Sequence, residues 1–324
     1  MQPINNDGEP DVTDISFKDR VVVITGAGGG LGRTYALEIA RRGGAVVVND
    51  LGGQVDGTSG SSEMADRVAA EIRSAGGRAV ANYDSITTPQ AGERIANAAI
   101  ESFGRIDALI NNAGNLRNAA MVDLSEDDRD AVWAVHLAGT FNVTKPIFHQ
   151  MVKQGYGRIV FTSSAAGLFG NAEQSAYGAA KAGVVGLMNV LAQEGTPHGI
   201  LCNALAPSAF SRMAEKVNLD HAEKMNALVA PFLSALDPTF VTPIVVYLAS
   251  EACHTTHDIY SATGGRIARI FVGLSEGWLG PRDKPATVEQ IAARIDTIRD
   301  TSRFQVPGSL VDEFHILANQ IAKS

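Results

Sequence analysis

The stretch Val21-Val22-Val23-Ile24-Thr25-Gly26-Ala27-Gly28-Gly29-Gly30-Leu31-Gly32 decides how this chain folds. Arg20 to Thr25 reads as a strand buried on both faces, because four β-branched residues follow one another without a polar interruption. A glycine-rich turn follows, and then an amphipathic helix through Arg42. That order lets backbone approach a phosphate. Glycine removes the Cβ, and the helix start offers unpaired N–H groups and a positive dipole end. The spacing is Thr-Gly-x-x-x-Gly-x-Gly, not Gly-x-Gly-x-x-Gly, and a merely flexible glycine turn is the competing reading.

Moving outward, short apolar runs alternate with helical patterns. Strands are expected at Ala45–Asn49, Arg78–Tyr83, Ile106–Ile110, Gly157–Ser163, Ile200–Leu205 and Ile267–Val272. Helices are expected at Ser61–Ala75, Pro89–Phe103, Ala176–Thr196 and Pro238–Ala249, with a long helix or helix pair over Glu126–Gln154. The acidic run Glu126-Asp127-Asp128 after Ser125 reads as a capped helix start. The alternation implies an α/β fold: one Rossmann-type, doubly wound parallel sheet of about seven strands with helices on both faces. Residues 1–17 read as a flexible arm, 18–280 as the dinucleotide-binding and catalytic domain, and 281–324 as a C-terminal helical extension with a helix at Thr287–Arg299. The strand-free segment at about 208–237 reads as a helical lid over the carboxyl edge of the sheet, where such folds bind ligands. Its Met213 and Met225 suit either an apolar substrate or packing within the lid.

Composition narrows the function classes. Of 324 residues, 45% are hydrophobic and 19% charged, so the chain can bury a large core. Its net charge of −8 opposes nucleic-acid binding, and no basic patch offsets it. No stretch of about 18 apolar residues exists, so no membrane insertion is expected. Two cysteines, Cys202 and Cys253, make no disulfide framework. The N-terminal fourteen residues do not read as a secretory signal, nor Ile321-Ala322-Lys323-Ser324 as a peroxisomal one, so the expected compartment is the cytoplasm. Cys253-His254 and His257-Asp258 have a spacing a metal could use, but they stand alone in a polar loop, and no metal site is assigned.

The chemistry-bearing residues follow from position. Asp50 ends the second strand, 24 residues after Gly26. A carboxylate there can accept both ribose hydroxyls of NAD and would repel the 2′-phosphate of NADP, so NAD is favoured. A turn residue before Gly52-Gly53 is the alternative. Tyr177 and Lys181 are four apart on a predicted helix and share a face, and Ser164 ends the fifth strand. A free tyrosine, with a pKa near ~10, is too weak a base at neutral pH. A neighbouring lysine cation and the nicotinamide charge are expected to lower it, while the serine hydroxyl holds the substrate oxygen.

Thr25 to Gly32, Asn111-Asn112-Ala113-Gly114, Ser164 and Tyr177-Gly178-Ala179-Ala180-Lys181 together resemble the short-chain dehydrogenase/reductase family over about residues 18–280. The resemblance implies a proton moved by Ser164, Tyr177 and Lys181 and a hydride moved by NAD(P). It also implies cofactor contacts from Gly26, Gly30, Leu31, Gly32, Asn112, Ala113, Gly114, Tyr177, Lys181 and the stretch after Pro207.

Val48 to Gly53, Ala81 to Ser85, Val135-His136-Leu137 and Ala206 to Met213 are similar to the (3R)-hydroxyacyl-CoA dehydrogenase domain of peroxisomal multifunctional β-oxidation enzymes, a group also counted among 17β-hydroxysteroid dehydrogenases. This implies further NAD contacts from Asp84, Ser85, Ile86, Ala209, Phe210, Ser211 and Arg212. The wider family carries asparagine, counted as a fourth catalytic residue, where this chain has His136. The closer group shares the histidine. Its backbone carbonyl can hold the water of a lysine relay, or the residue can simply pack. The resulting expectation is a secondary alcohol/ketone oxidoreductase with a large apolar small-molecule substrate, a 3-hydroxyacyl-CoA or a hydroxysteroid, working as a homodimer or homotetramer. The reading of another class is a catalytically silent NAD-binding scaffold.

Overall fold

The computed structural model describes residues 14–53, 60–209 and 230–322. They fall into two compact units, one ending at Arg269 and one beginning at Ile270.

In the first unit an eight-stranded sheet runs in the order β3-β2-β1-β4-β5-β6-β7-β8. Its members are β1 (Val21–Thr25), β2 (Ala45–Asn49), β3 (Arg78–Asn82), β4 (Ala108–Asn111), β5 (Gly157–Thr162), β6 (Ile200–Ser208), β7 (Ile259–Thr263) and β8 (Arg266–Ile270). β1 to β7 pair in parallel, with Val22 opposite Val46 on one side and Ala108 on the other. Every residue of β1 and β2 is buried, as helices on both faces require. Strand order reverses at β1, between β2 and β4. Sheets of this kind bind ligands outside the carboxyl ends of the strands at such a switch point.

The helices are α1 (Gly30–Arg41), α2 (Glu63–Ser74), α3 (Pro89–Phe103), α4 (Glu126–Trp133), α5 (Thr140–Gln154), α6 (Ala165–Phe169), α7 (Ser175–Gly195) and α8 (Thr242–Ala249). Ser125 caps α4 by accepting from the Asp128 N–H. Between α4 and α5 the chain does not break; it widens into a π-helical turn over Ala134–Gly139. Such turns are rare and concentrate at functional sites.

The sheet holds one strand more than the sequence pattern indicates, because Ile259–Thr263 pairs with β6. β7 and β8 are joined by Gly264 and Gly265 alone, at φ +58° and +80°. Two residues permit only an antiparallel hairpin, and two positive φ angles are what its turn demands. Of the expected lid, 210–229 lies outside the described residues, Ser208 ends β6 and Ala230–Leu236 forms 3-10 turns; the helix expected at Pro238–Ala249 opens instead with a 3-10 turn over Pro238–Phe240 and is α-helical from Thr242.

The second unit pairs β9 (Leu274–Ser275) antiparallel with β10 (Phe304–Gln305) and carries α9 (Val288–Arg299) and α10 (Leu310–Ala322). Thr287 and Gln290 form a capping box at the start of α9. Among the described residues no helix is long and apolar enough to cross a membrane.

Candidate active site

The glycine turn is shaped by what packs behind it. A Cβ on Gly26, at φ +66°, would lie 2.7 Å from the Ala113 Cα, and one on Gly32 would lie 2.2 Å from the Gly26 carbonyl oxygen. Gly30, at φ +49°, faces open space instead. α1 starts there behind Gly29, which has no side chain to cap it, so the first-turn N–H groups are left for another acceptor. The end of β4 holds this turn in place. Asn112 Nδ2 donates to the carbonyls of Thr25 (3.1 Å) and Gly26 (3.0 Å). Thr25 Oγ1 accepts from the Asn112 and Ala113 N–H groups, at 3.1 Å each.

Asp50 stands beside the same turn. Its Oδ2 accepts from the Gly28 N–H (2.8 Å) and its Oδ1 from the Gly52 N–H (2.7 Å). Each oxygen keeps a lone pair. Asn49 links the neighbouring strand end, donating to Asn82 Oδ1 and the Asp84 carbonyl. The Asp84 carboxylate is taken up by Arg94 Nε (2.7 Å) and Asn82 Nδ2 (3.0 Å). Ser85 and Thr87 hydroxyls meet at 2.9 Å. Ile86 is buried against Gly139, where a Cβ would come within 2.6 Å of its Cδ1.

Ser164, Tyr177 and Lys181 converge at the carboxyl end of β5. Ser164 caps α6, accepting from the Ala166 N–H at 3.2 Å, and its hydroxyl also hydrogen-bonds the Tyr177 phenol. Lys181 is buried on the same face of α7, with Nζ 5.8 Å from the Tyr177 ring centroid. Its ammonium donates to the Thr162 carbonyl at 2.5 Å. Burial lowers the Lys181 pKa to about 7. The expected acidification invokes the nicotinamide charge together with Lys181; the protein's own groups together act on the phenol in the other direction. Burial raises the Tyr177 pKa above its ordinary value, and only the Ser164 hydrogen bond acts the other way. Desolvation disfavours charge on both groups.

His136, in the π-turn, stands edge-on to Tyr177, ring centroids 5.0 Å apart at 89°. Its carbonyl accepts from Thr140 Oγ1 at 2.7 Å. Its ring faces Gly114, where a Cβ would lie 2.5 Å from Cε1, and it reaches the backbone of Asn115. Asn115 went unread in the sequence; the signal was a third asparagine two residues after Ala113, behind a motif already recognised. Pro207 lies at the end of β6 and Ala209 just past it, whereas Phe210, Ser211 and Arg212 lie outside the described residues. Cys253 is buried, with its sulfur toward Thr255 and Asn203, and His254 meets the Tyr247 hydroxyl. Among the described residues no group of three His, Cys, Asp or Glu side chains is placed to hold a metal ion.

Comparison with known proteins bears on this arrangement. The family model described as short chain dehydrogenase matches residues 20–222. A Mycobacterium tuberculosis protein named as a short-chain type dehydrogenase/reductase is 45% identical over 291 residues, covering 90% of this chain and 98% of its own. The peroxisomal multifunctional enzyme type 2 of Mus musculus is 42% identical over 309 residues, 93% of this chain, but this chain spans only 40% of that enzyme. The solved structure of full-length peroxisomal multifunctional enzyme type 2 from Drosophila melanogaster superposes with a TM-score of 0.76 at 33% identity, covering 95% of this chain and 50% of that one.

Proposed function

The chain belongs to the short chain dehydrogenase family and is an oxidoreductase acting on CH–OH groups; from that premise we propose that it uses NAD to interconvert a secondary alcohol and its ketone on a large apolar substrate of the 3-hydroxyacyl-CoA class. The observation that carries this reading is the meeting of Ser164, Tyr177 and Lys181 in one buried cluster beside a glycine turn. The substrate class is supported by the resemblance to the (3R)-hydroxyacyl-CoA dehydrogenase group and by the multifunctional peroxisomal relative.

The residues fit a dinucleotide. Gly30 leaves open space above an uncapped helix start, where Gly26, Leu31 and Gly32 would cradle the pyrophosphate. Asp50 offers two fixed oxygens to the adenosine ribose and a negative charge against a 2′-phosphate, which favours NAD over NADP. Asp84, Ser85 and Ile86 would border the adenine. Asn112, Ala113 and Gly114, with Pro207 and the Ala209 to Arg212 segment, would border the nicotinamide. Bound there, the cofactor accepts or returns the hydride.

This chain's own side chains handle the proton. A buried phenol with a raised pKa is held protonated, ready to donate to a ketone oxygen. In the reverse direction the phenolate is supported by the Ser164 hydroxyl, with the Lys181 amino group fixed beside the ring on the Thr162 carbonyl. We also read the protein as cytoplasmic, with its two buried free cysteines, and as a homodimer or homotetramer. Exposed Trp133, Leu137 and Phe141, four residues apart, support the latter by giving the α4–α5 side an apolar stripe.

The test is a panel of 3-hydroxyacyl-CoA thioesters and hydroxysteroids, with NAD and with NADP, followed at 340 nm. Thioester turnover with NAD is expected. Turnover of steroids alone, or faster turnover with NADP, contradicts the reading.

A further inference from the structure

The corner that Asp50 occupies also holds a cation. α2 starts close to the glycine turn: a Cβ on Gly28 would lie 2.8 Å from the Met64 Cβ and 2.9 Å from the Asp50 carboxyl carbon. Three residues on from Met64, and so on the same face of α2, the Arg67 guanidinium donates to the Gly28 carbonyl at 3.4 Å. Asp50 accepts from the N–H of that same glycine at 2.8 Å. A carboxylate and a guanidinium thus meet the two ends of one residue. A residue spans at most ~3.6 Å, so the guanidinium nitrogen lies within about 10 Å of the carboxylate oxygen, about one screening length in ~0.1 M salt.

Arg67 nevertheless has no acid of its own. Among the described residues it enters no ion pair, and the Gly28 carbonyl is its one hydrogen-bond partner. Of the acids one helical turn away, Glu63 forms no ion pair with it, and Arg33 clasps the Glu71 carboxylate at 2.6 to 3.2 Å. Asp66 is engaged by the Tyr83 hydroxyl at 2.6 Å. A guanidinium offers five N–H donors in a planar fork, a shape that fits a phosphate. With a single long bond to a neutral carbonyl, most of that capacity is open to a ligand or to water.

The adenosine ribose proposed for Asp50 would bring its 2′-oxygen to this corner. A phosphate on that oxygen meets a carboxylate that repels it and a guanidinium that attracts it. The choice of NAD argued above weighs the carboxylate alone, because positions 49–51 hold no arginine and only the fold carries Arg67 to the glycine turn.

We propose that Arg67 is a specificity-determining residue for the cofactor: it takes the 2′-phosphate when NADP enters, and the preference for NAD is the excess of Asp50 over Arg67. The proposal rests on the adenosine ribose lying at Asp50.

NADH and NADPH differ by the 2′-phosphate alone, and their dissociation constants are read from nicotinamide fluorescence without substrate or turnover. They are measured for wild type, Arg67→Gln, Arg67→Lys, Asp50→Asn and the Asp50→Asn/Arg67→Gln double variant. Arg67→Gln is expected to weaken NADPH at least ~5-fold, both in the wild-type and in the Asp50→Asn background, with NADH within about twofold in each. Arg67→Lys keeps the charge without the fork and should lose less NADPH affinity than Arg67→Gln. The side chain is exposed, so neither change threatens the fold.

Equal weakening of both cofactors would mean that Arg67 only braces the glycine turn, and unchanged NADPH binding that no phosphate reaches it; either overturns the proposal. So does NADPH binding too weak to measure even in Asp50→Asn. The reading of Asp50 fails separately. If Asp50→Asn leaves the relative affinity for NADPH and NADH unchanged while Arg67→Gln still weakens NADPH selectively, Asp50 loses its role in cofactor choice and Arg67 keeps its own. If Asp50→Asn shifts the balance toward NADPH and Arg67→Gln changes nothing, Asp50 keeps its role and Arg67 has none.

Discussion

Replacing Lys181 with methionine is expected to stabilise the protein at neutral pH and to do so less as the pH rises. Lys181 is 4% exposed, and the partner of its ammonium is a neutral carbonyl, that of Thr162. Among the described residues no ion pair includes it. Burial takes its pKa from 10.5 to about 7. The folded state thus holds this proton less tightly than the unfolded chain does. The penalty is full below the folded value and fades as the pH rises toward the unfolded one. With each pKa unit near 1.36 kcal/mol, linkage gives a penalty of about 4 kcal/mol at pH 7 and about 2 kcal/mol at pH 9. Methionine matches the length, removes the charge and leaves the Thr162 carbonyl without its donor, a cost of about 1–3 kcal/mol. That cost does not vary with pH. The stability gap between variant and wild type should therefore shrink by about 2 kcal/mol from pH 7 to pH 9. Urea unfolding of both proteins at pH 7, 8 and 9, followed by circular dichroism, measures it. A gap constant to within about 0.5 kcal/mol, or one that widens with pH, would refute the reasoning.

Three further outcomes are expected from the same geometry. Gly32→Ala drives a Cβ to 2.2 Å from the Gly26 carbonyl oxygen, where only backbone can yield, and should cost about 1–3 kcal/mol in urea unfolding beyond the ~1 kcal/mol φ strain that is all Gly30→Ala meets within the protein; equal losses of stability would contradict the packing argument. Asp50→Asn removes the charge and keeps an oxygen for only one of the Gly28 and Gly52 N–H groups, turning its NH2 to the other, so the NADP/NAD ratio of kcat/KM should rise at least ~10-fold, while Asp50→Ala frees both N–H groups and should weaken both cofactors further; an unchanged ratio in the asparagine variant would remove Asp50 from cofactor choice. Because burial raises the Tyr177 pKa above its ordinary value, alcohol oxidation, which needs the phenolate, should go on accelerating through the alkaline range without a plateau below the ordinary tyrosine pKa of ~10, while ketone reduction should not; parallel profiles in the two directions would contradict that.

The parts of this molecule that are legible in the sequence are those set by local pattern. Val21–Ile24 can only be a buried strand, the glycines after it need absent side chains, and Tyr177 and Lys181 are bound to share a face once their helix exists. The hidden parts depend on partners far along the chain. Ile259–Thr263 has little apolar pattern of its own and becomes a strand because β6 offers an edge. Asn115 acquires its place from the Ala131 carbonyl and the His136 ring, neither of which its neighbours announce. The upward direction of the Tyr177 shift is not legible either, because sequence shows a nearby lysine but not the burial of the phenol. In the tail, the helical spacing of Leu310, Val311, Phe314 and Leu317 that marks α10 went unread beside the clearer helix at Thr287–Arg299, whereas the two-residue strands β9 and β10 are too short to leave a pattern.

The chemistry proposed for this chain stands or falls with the proton moved by Tyr177. The most direct measurement is NADH formation at 340 nm from a 3-hydroxyacyl-CoA by wild type and by Tyr177→Phe, with NAD binding measured in parallel. Loss of kcat by at least ~10³-fold with NAD binding intact is the result predicted. Turnover within about tenfold of wild type would contradict it.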